Sequence, residues 1–194
     1  MPEKILWAGN RLFPGSGDIM DSPDYTCDIH LAQCEITDRT AFLKELQEIA
    51  QQYAIHIICF NADMLAGRAH AQSAVEHAVR SFQEGTAISN TIEMESILYA
   101  AGSRQCNNAS SFGVHVGMNN LYVCCYPAPG RELWKHLAHF LQFIGDAEDA
   151  IDSEKRTLLM QLFDIPAKEL EAVGNKDGIV DLVLERVALL NVLR

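Results

Sequence analysis

The run Ile55–Phe60 constrains this fold more than any other stretch of the chain. It is short, apolar and rich in β-branched residues, and it is bounded by a helical pattern on one side and by Asn61-Ala-Asp63 on the other. Those features mark a buried strand. Before it, Thr40 to Tyr53 repeats Phe42, Leu43, Leu46, Ile49, Ala50 and Tyr53 at helical spacing and turns Lys44, Glu45, Gln47 and Glu48 to water. After it, His70 to Glu84 aligns Ala71, Ala74, Val75, Ala78, Val79 and Phe82, with Gly85 as its stop. A buried strand between two one-sided helices calls for an α/β (α+β) fold, with a small mixed β-sheet flanked by several helices.

Further elements follow on both sides. Cys27 to Ile36 and Trp7 to Phe13 alternate loosely, separated by turn chemistry at Pro14-Gly-Ser-Gly17 and Asp21-Ser-Pro23. Asn90 and Glu93 form a capping-box pattern for a helix that ends at Gly102. Ser103 then caps a short helix through Phe112, stopped by Gly113. Val114–Val116 and Leu121–Tyr126 read as strands joined by a hairpin at Gly117-Met-Asn-Asn120. Arg131–Ile144, Ser153–Phe163 and Pro166–Val173 read as helices, and Ile179–Leu193 closes the chain. That last helix leaves only Asp181, Glu185, Arg186 and Asn191 as a thin polar stripe. A helix so apolar is either deeply buried or covered by a partner. No repeat or convincing linker divides the 194 residues, so 1–194 is expected to form one domain.

Composition excludes several functions. No apolar run approaches the ~20 residues that span a bilayer. Met1-Pro-Glu-Lys4 lacks the basic start and apolar core of a signal peptide, so a cytoplasmic location is expected. The six cysteines, Cys27, Cys34, Cys59, Cys106, Cys124 and Cys125, include no Cys-x-x-Cys pair. Those at 59, 124 and 125 lie in apolar runs, where a thiol is a small buried hydrophobe. A net charge of −11 argues against broad capture of nucleic acid, which needs a basic face. Any nucleic-acid site must be small and local.

Candidate chemistry is sparse. The chain has no phosphate loop, nucleophile elbow or metal signature. His136 and His139, one turn beyond Glu132, could present ligands on one helix face, but no third ligand sits at signature spacing. His70 and His77 share a helix face and read as surface or capping groups. Glu93 and Glu95 fall in a first helical turn, where carboxylates are favoured without any catalytic role. Asn61 and Asp63 stand where a strand ends, which is where ligands bind in open α/β sheets. They are also preferred helix caps. Arg104-Gln105 sits at a helix start, where a cation opposes the dipole. The arginine then has a compensating partner: a phosphate, or within the fold Glu95 or Glu93.

Taken in order, Asn61-Ala-Asp63, Gly67-Arg-Ala-His70, Asn90-Thr-Ile-Glu-Met-Glu95, Glu95-Ser-Ile-Leu-Tyr-Ala-Ala-Gly-Ser-Arg-Gln105 and Val183-Leu-Glu-Arg-Val-Ala-Leu-Leu190 form a pattern. It resembles the kinase-binding, tRNA-recruiting subunit of the KEOPS (EKC) tRNA-modification complex, the family that includes the human PRPK-binding protein. The likeness covers roughly residues 56–194. It implies a protein without enzymatic activity or cofactor, binding the small atypical kinase/ATPase subunit and, through it, the threonylcarbamoyltransferase subunit. It also implies recruitment of tRNA by its single-stranded 3′ CCA end, in an archaeal type of assembly. The chain departs from the family where Cys106-Asn-Asn108 follows Arg104-Gln105 in place of an aliphatic and an acidic residue.

On this resemblance, the expected RNA contacts are Arg68, Asn90, Arg104 and Gln105, converging from three helix starts. The expected kinase contacts are Ile92, Met94 and Leu98 on the central helix and Leu190 and Leu193 at the terminus. Two other classes remain open: an enzyme or small-molecule binder with its site near Asn61 and Asp63, and a structural dimer formed through the terminal helix.

Overall fold

A computed structural model describes residues 27–104, 109–145, 151–174 and 178–190. The Trp7–Phe13 alternation, Gln105, Cys106 and Leu193 lie outside the described residues, as do residues 105–108 of the helix expected from Ser103 through Phe112, of which Ser110–Phe112 forms a short 3-10 turn.

Four strands form one sheet in the order β2-β3-β1-β4: β1 Asp28–Ile36, β2 His56–Asn61, β3 Gly117–Tyr126 and β4 Gln142–Ile144. Every pairing is antiparallel. What is mixed here is helix with strand, not strand direction. The helices are α1 Arg39–Tyr53, α2 Arg68–Gln83, α3 Ile92–Ala100, α4 Arg131–Leu137, α5 Ser153–Leu162, α6 Ala167–Val173 and α7 Gly178–Leu189.

Strand alternation divides the core in two. On one face Ile29, Ile58, Phe60, Tyr122 and Cys124 pack against α2, α3, α5 and α7. On the other, Ala32, Cys34, Ile57, Cys59, Val123 and Cys125 pack against Leu46 and Ile49 of α1 and Leu133 and Leu137 of α4. The run Ile57–Phe60 is buried residue after residue because both faces of β2 are covered.

Three expectations are corrected. Gly117-Met-Asn-Asn120 is not a hairpin: it is the first half of β3, in register with Ile36, Glu35, Cys34 and Gln33. Its turn chemistry serves the entry to the strand. Buried Asn119 accepts from the N–H of His115 and donates to the carbonyls of His115 and Gly117. The stretch Arg131–Ile144 is helical only to Leu137. Gln142–Ile144 instead pairs with Leu31–Gln33, where the far edge of β1 offers backbone groups to bond. The helix after residue 90 is capped by Thr91, whose side chain accepts from Met94 N–H at 3.2 Å, not by an Asn90–Glu93 box.

Candidate interaction site

α2 and α3 form an antiparallel pair, and the chemistry gathers where α2 begins and α3 ends. His70 ties that end together. Its ring is fully buried, Nδ1 accepts from Ala66 N–H at 3.1 Å, and Nε2 lies 3.0 Å from the carbonyl of Ala100. Because Nδ1 is an acceptor, the proton sits on Nε2. Burial lowers its pKa to about 3, with Lys155 adding repulsion and the Ala100 carbonyl opposing both. His77, further along α2, stacks on Tyr99 at 5.3 Å. His70 is a capping group, as expected, but a buried one: it accepts from the backbone just before α2 and reaches the last carbonyl of α3, while His77 is half-buried. The signal was present: His70 lies on the apolar stripe that continues through Ala74 and Ala78.

α3 stops in a glycine-dependent turn. Gly102 has φ +56°, its N–H bonds to Tyr99 O at 2.9 Å, and Ser103 N–H bonds to Leu98 O at 3.1 Å. Arg104 follows at once. Its Nη2 donates to the carbonyl of Leu190 at 3.0 Å, and its Nε is buried without a hydrogen-bond partner. Neither carboxylate proposed for it takes part. Glu95 is 1% exposed and accepts from the N–H groups of Ile88 and Ser89. Glu93 lies 2.8 Å from His56 Nδ1. Burial would raise the Glu93 carboxyl, but the hydrogen bond and charge of His56, with smaller help from local donors, hold it below its ordinary value.

Two other cations reach backbone carbonyls at this end: Arg68 donates to Ile29 O, and Lys155 donates to Ala62 O at 3.0 Å. Lys155 carried no signal in the sequence. Arg68 and Arg104 thus belong to the same end of the α2–α3 pair. Asn90 does not: it precedes α3, whose nine residues span about 13 Å, and it is exposed at the far end. The structure therefore does not bring the three expected segments together.

Of the expected kinase contacts, Leu98 at 1% and Leu190 at 6% exposure are core residues, and Ile92 and Met94 are half-buried. Exposed large apolar side chains occur at several places, Val116 and Met118 among them, and the C-terminal element adds one on α7. That helix buries Ile179, Leu182, Val183 and Val187, leaves Leu184 half-buried, and turns Ala188 and Leu189 outward beside Asp181 and Glu185; Leu189 is 38% exposed.

Asn61 caps the short Ala62–Met64 turn: its Oδ1 accepts from Asp63 N–H and its Nδ2 donates to Ser111 O, both at 3.1 Å. Asp63 accepts from Asn120. The pair is used structurally at the place where a strand-end enzyme site was considered. Glu132 binds Lys135 at 2.7 Å, and the rings of His136 and His139 lie 6.3 Å apart. Among the described residues, no three His, Cys, Asp or Glu side chains are placed to hold a metal ion. Cys27, Cys34, Cys59, Cys124 and Cys125 are free and buried. Burial pushes the Cys59 thiol up to about 12, with Cys34 adding to it, so it stays protonated at neutral pH.

The family model for the kinase binding protein CGI-121 matches residues 34–191. The chain belongs to the CGI-121 family. The match begins within β1 and includes α2, α3 and α7. Comparison with curated proteins gave no match. Among the described residues, no helix is long and apolar enough to cross a membrane.

Proposed function

We propose that this CGI-121 family protein is the non-catalytic subunit of a KEOPS-type tRNA threonylcarbamoyladenosine complex. It binds the small atypical kinase/ATPase subunit and helps recruit tRNA by its 3′ CCA end. The reading carries with it a cytoplasmic, archaeal type of assembly, in which the threonylcarbamoyltransferase subunit is reached through the kinase. The observation that carries it is the kinase-binding family match across residues 34–191. The outward-turned Ala188 and Leu189 on α7 support it as the surface a kinase would cover, with Leu184, Ile92 and Met94 as half-buried supporting candidates.

The RNA contacts are assigned to the end where Arg68 and Arg104 stand half-buried, with Gln105 next in sequence. Single-stranded ends are read by hydrogen bonds and by stacking or pairing on arginine. A site that meets only one to three phosphates suits a chain of net charge −11. Asn90 enters only as a second contact further along the RNA. The test is co-purification with the small kinase, followed by tRNA mobility shifts with and without the CCA end. Stable association with the kinase, together with a shift that needs the CCA end, is expected. No association with the kinase overturns the reading.

A further inference from the structure

We propose that Arg104 is a positioning residue for the C-terminal helix, setting the outward-turned end of α7 through the carbonyl oxygen of Leu190. The inference rests on the reading of α7 as the kinase-facing element and goes beyond it, because Arg104 lies on another segment.

Apolar contact alone gives a helix no directional restraint; Arg186, whose Nη2 donates to the Glu169 carboxylate at 2.8 Å, ties α7 to α6, and Arg104 adds a tie from the end of α7 to the α2–α3 pair. The buried face of α7 packs Ile179, Leu182, Val183 and Val187 against the core, and such contacts permit rotation and sliding. The last carbonyls of a helix also lack partners within it, and its C-terminus carries partial negative charge. Arg104 meets both needs with one charge-assisted bond of 3.0 Å to Leu190 O, just past the helix end at Leu189.

The residue is well placed to act as a fixed post. It follows a helix end closed by two backbone bonds, Gly102 to Tyr99 and Ser103 to Leu98. That end is tied to α2 through His70 and Ala100, and again through the 2.6 Å contact between Ser81 Oγ and Tyr99 OH. The position of Leu190 is therefore referred back to the rigid α2–α3 pair. The buried, unfilled Nε shows that the guanidinium is held where it reaches Leu190 and not where all of its donors are met. Leu189, the most exposed large aliphatic on α7, is the immediate neighbour of the residue so held.

The experiment compares the full chain with Arg104→Ala and Arg104→Lys. Amide hydrogen exchange is followed over residues 178–190, and affinity for the co-expressed small kinase is measured without RNA. Arg104→Ala should speed exchange in the last turn of α7 at least tenfold and weaken kinase binding about tenfold. Arg104→Lys should recover both, since an ammonium can still donate one bond to Leu190 O; a loss that came from general unfolding would not be recovered in this way. Unchanged exchange in Arg104→Ala overturns the proposal, and so does faster exchange with unchanged kinase affinity. A wild-type chain that does not bind the kinase refutes the functional reading; the exchange result alone then decides whether Arg104 holds the helix.

Discussion

The imidazole of His70 and the carbonyl of Ala100 meet at 3.0 Å inside a fully buried junction, joining the start of one helix to the end of the next. With Nδ1 already accepting from Ala66, this geometry requires a neutral ring.

A pH dependence follows. Burial holds the folded pKa of His70 at about 3, below its ordinary value of 6.5. The unfolded chain therefore takes up a proton below pH 6.5 that the folded chain refuses. Stability is fully present above that pH and is lost as pH falls towards 3, by up to about 1.4 kcal/mol per unit. His77, also lowered, first by burial and then by Arg80, adds in the same direction. Urea unfolding between pH 7 and pH 4.5 should show this slope. His70→Gln should be less stable at pH 7 and show a flatter slope. An equal slope in the variant would remove His70 as its source.

Glu95 staples the loop before α3. Its carboxylate accepts from two backbone N–H groups, at 3.1 Å from Ile88 and 2.7 Å from Ser89, while itself 1% exposed. Glu95→Ala leaves both donors without an acceptor, each at a cost of about 1–3 kcal/mol. Thermal unfolding should show a loss in that range or above, with faster proteolysis between residues 84 and 91. Glu95→Gln keeps an acceptor and should recover part of the loss.

The helix–strand–helix unit was legible because its periodicities are strong and both faces of β2 are covered. The core role of Cys59, Cys124 and Cys125 was legible for the same reason. Elements decided by pairing were not. Gly117-Met-Asn-Asn120 has the composition of a turn, and only the register with β1 makes it strand. Gln142–Ile144 continues a helical pattern until the edge of β1 captures it. In the candidate site, local sequence identified Arg104 as a residue needing a partner. It could not identify Leu190, 86 positions away, as that partner. Nor could it tell which aliphatics of α3 and α7 point inward, since both helices are apolar on most sides.

That distinction separates two sets of variants. Leu98→Glu and Leu190→Glu place an unpaired charge in the core and should cost several kcal/mol, leaving little folded protein. Leu189→Glu changes an exposed side chain and should leave the melting temperature within a few degrees of wild type. It should nevertheless weaken kinase binding. Circular dichroism melts beside kinase pull-downs test this. Folded Leu189→Glu that binds the kinase at wild-type strength would place the docking face elsewhere.

Arg68 is a second test of the RNA site; like Arg104 it also holds a backbone carbonyl, that of Ile29, so a thermal melt of the variant accompanies the binding measurement. Arg68→Ala should weaken tRNA binding several-fold while leaving kinase binding intact, and Asn90→Ala, at the other end of α3, should have a smaller effect. Removing the CCA end should abolish the difference between Arg68→Ala and wild type, since the contact is assigned to that end. With one to three phosphates met, the slope of log K against log salt should lie near −1 to −2, at roughly 0.7 per phosphate for a single strand. A steep slope would indicate a broad basic surface that a chain of net charge −11 does not possess on its own, and would move the RNA contact to its partner. Equal binding of trimmed and intact tRNA would remove the 3′ end from the site altogether.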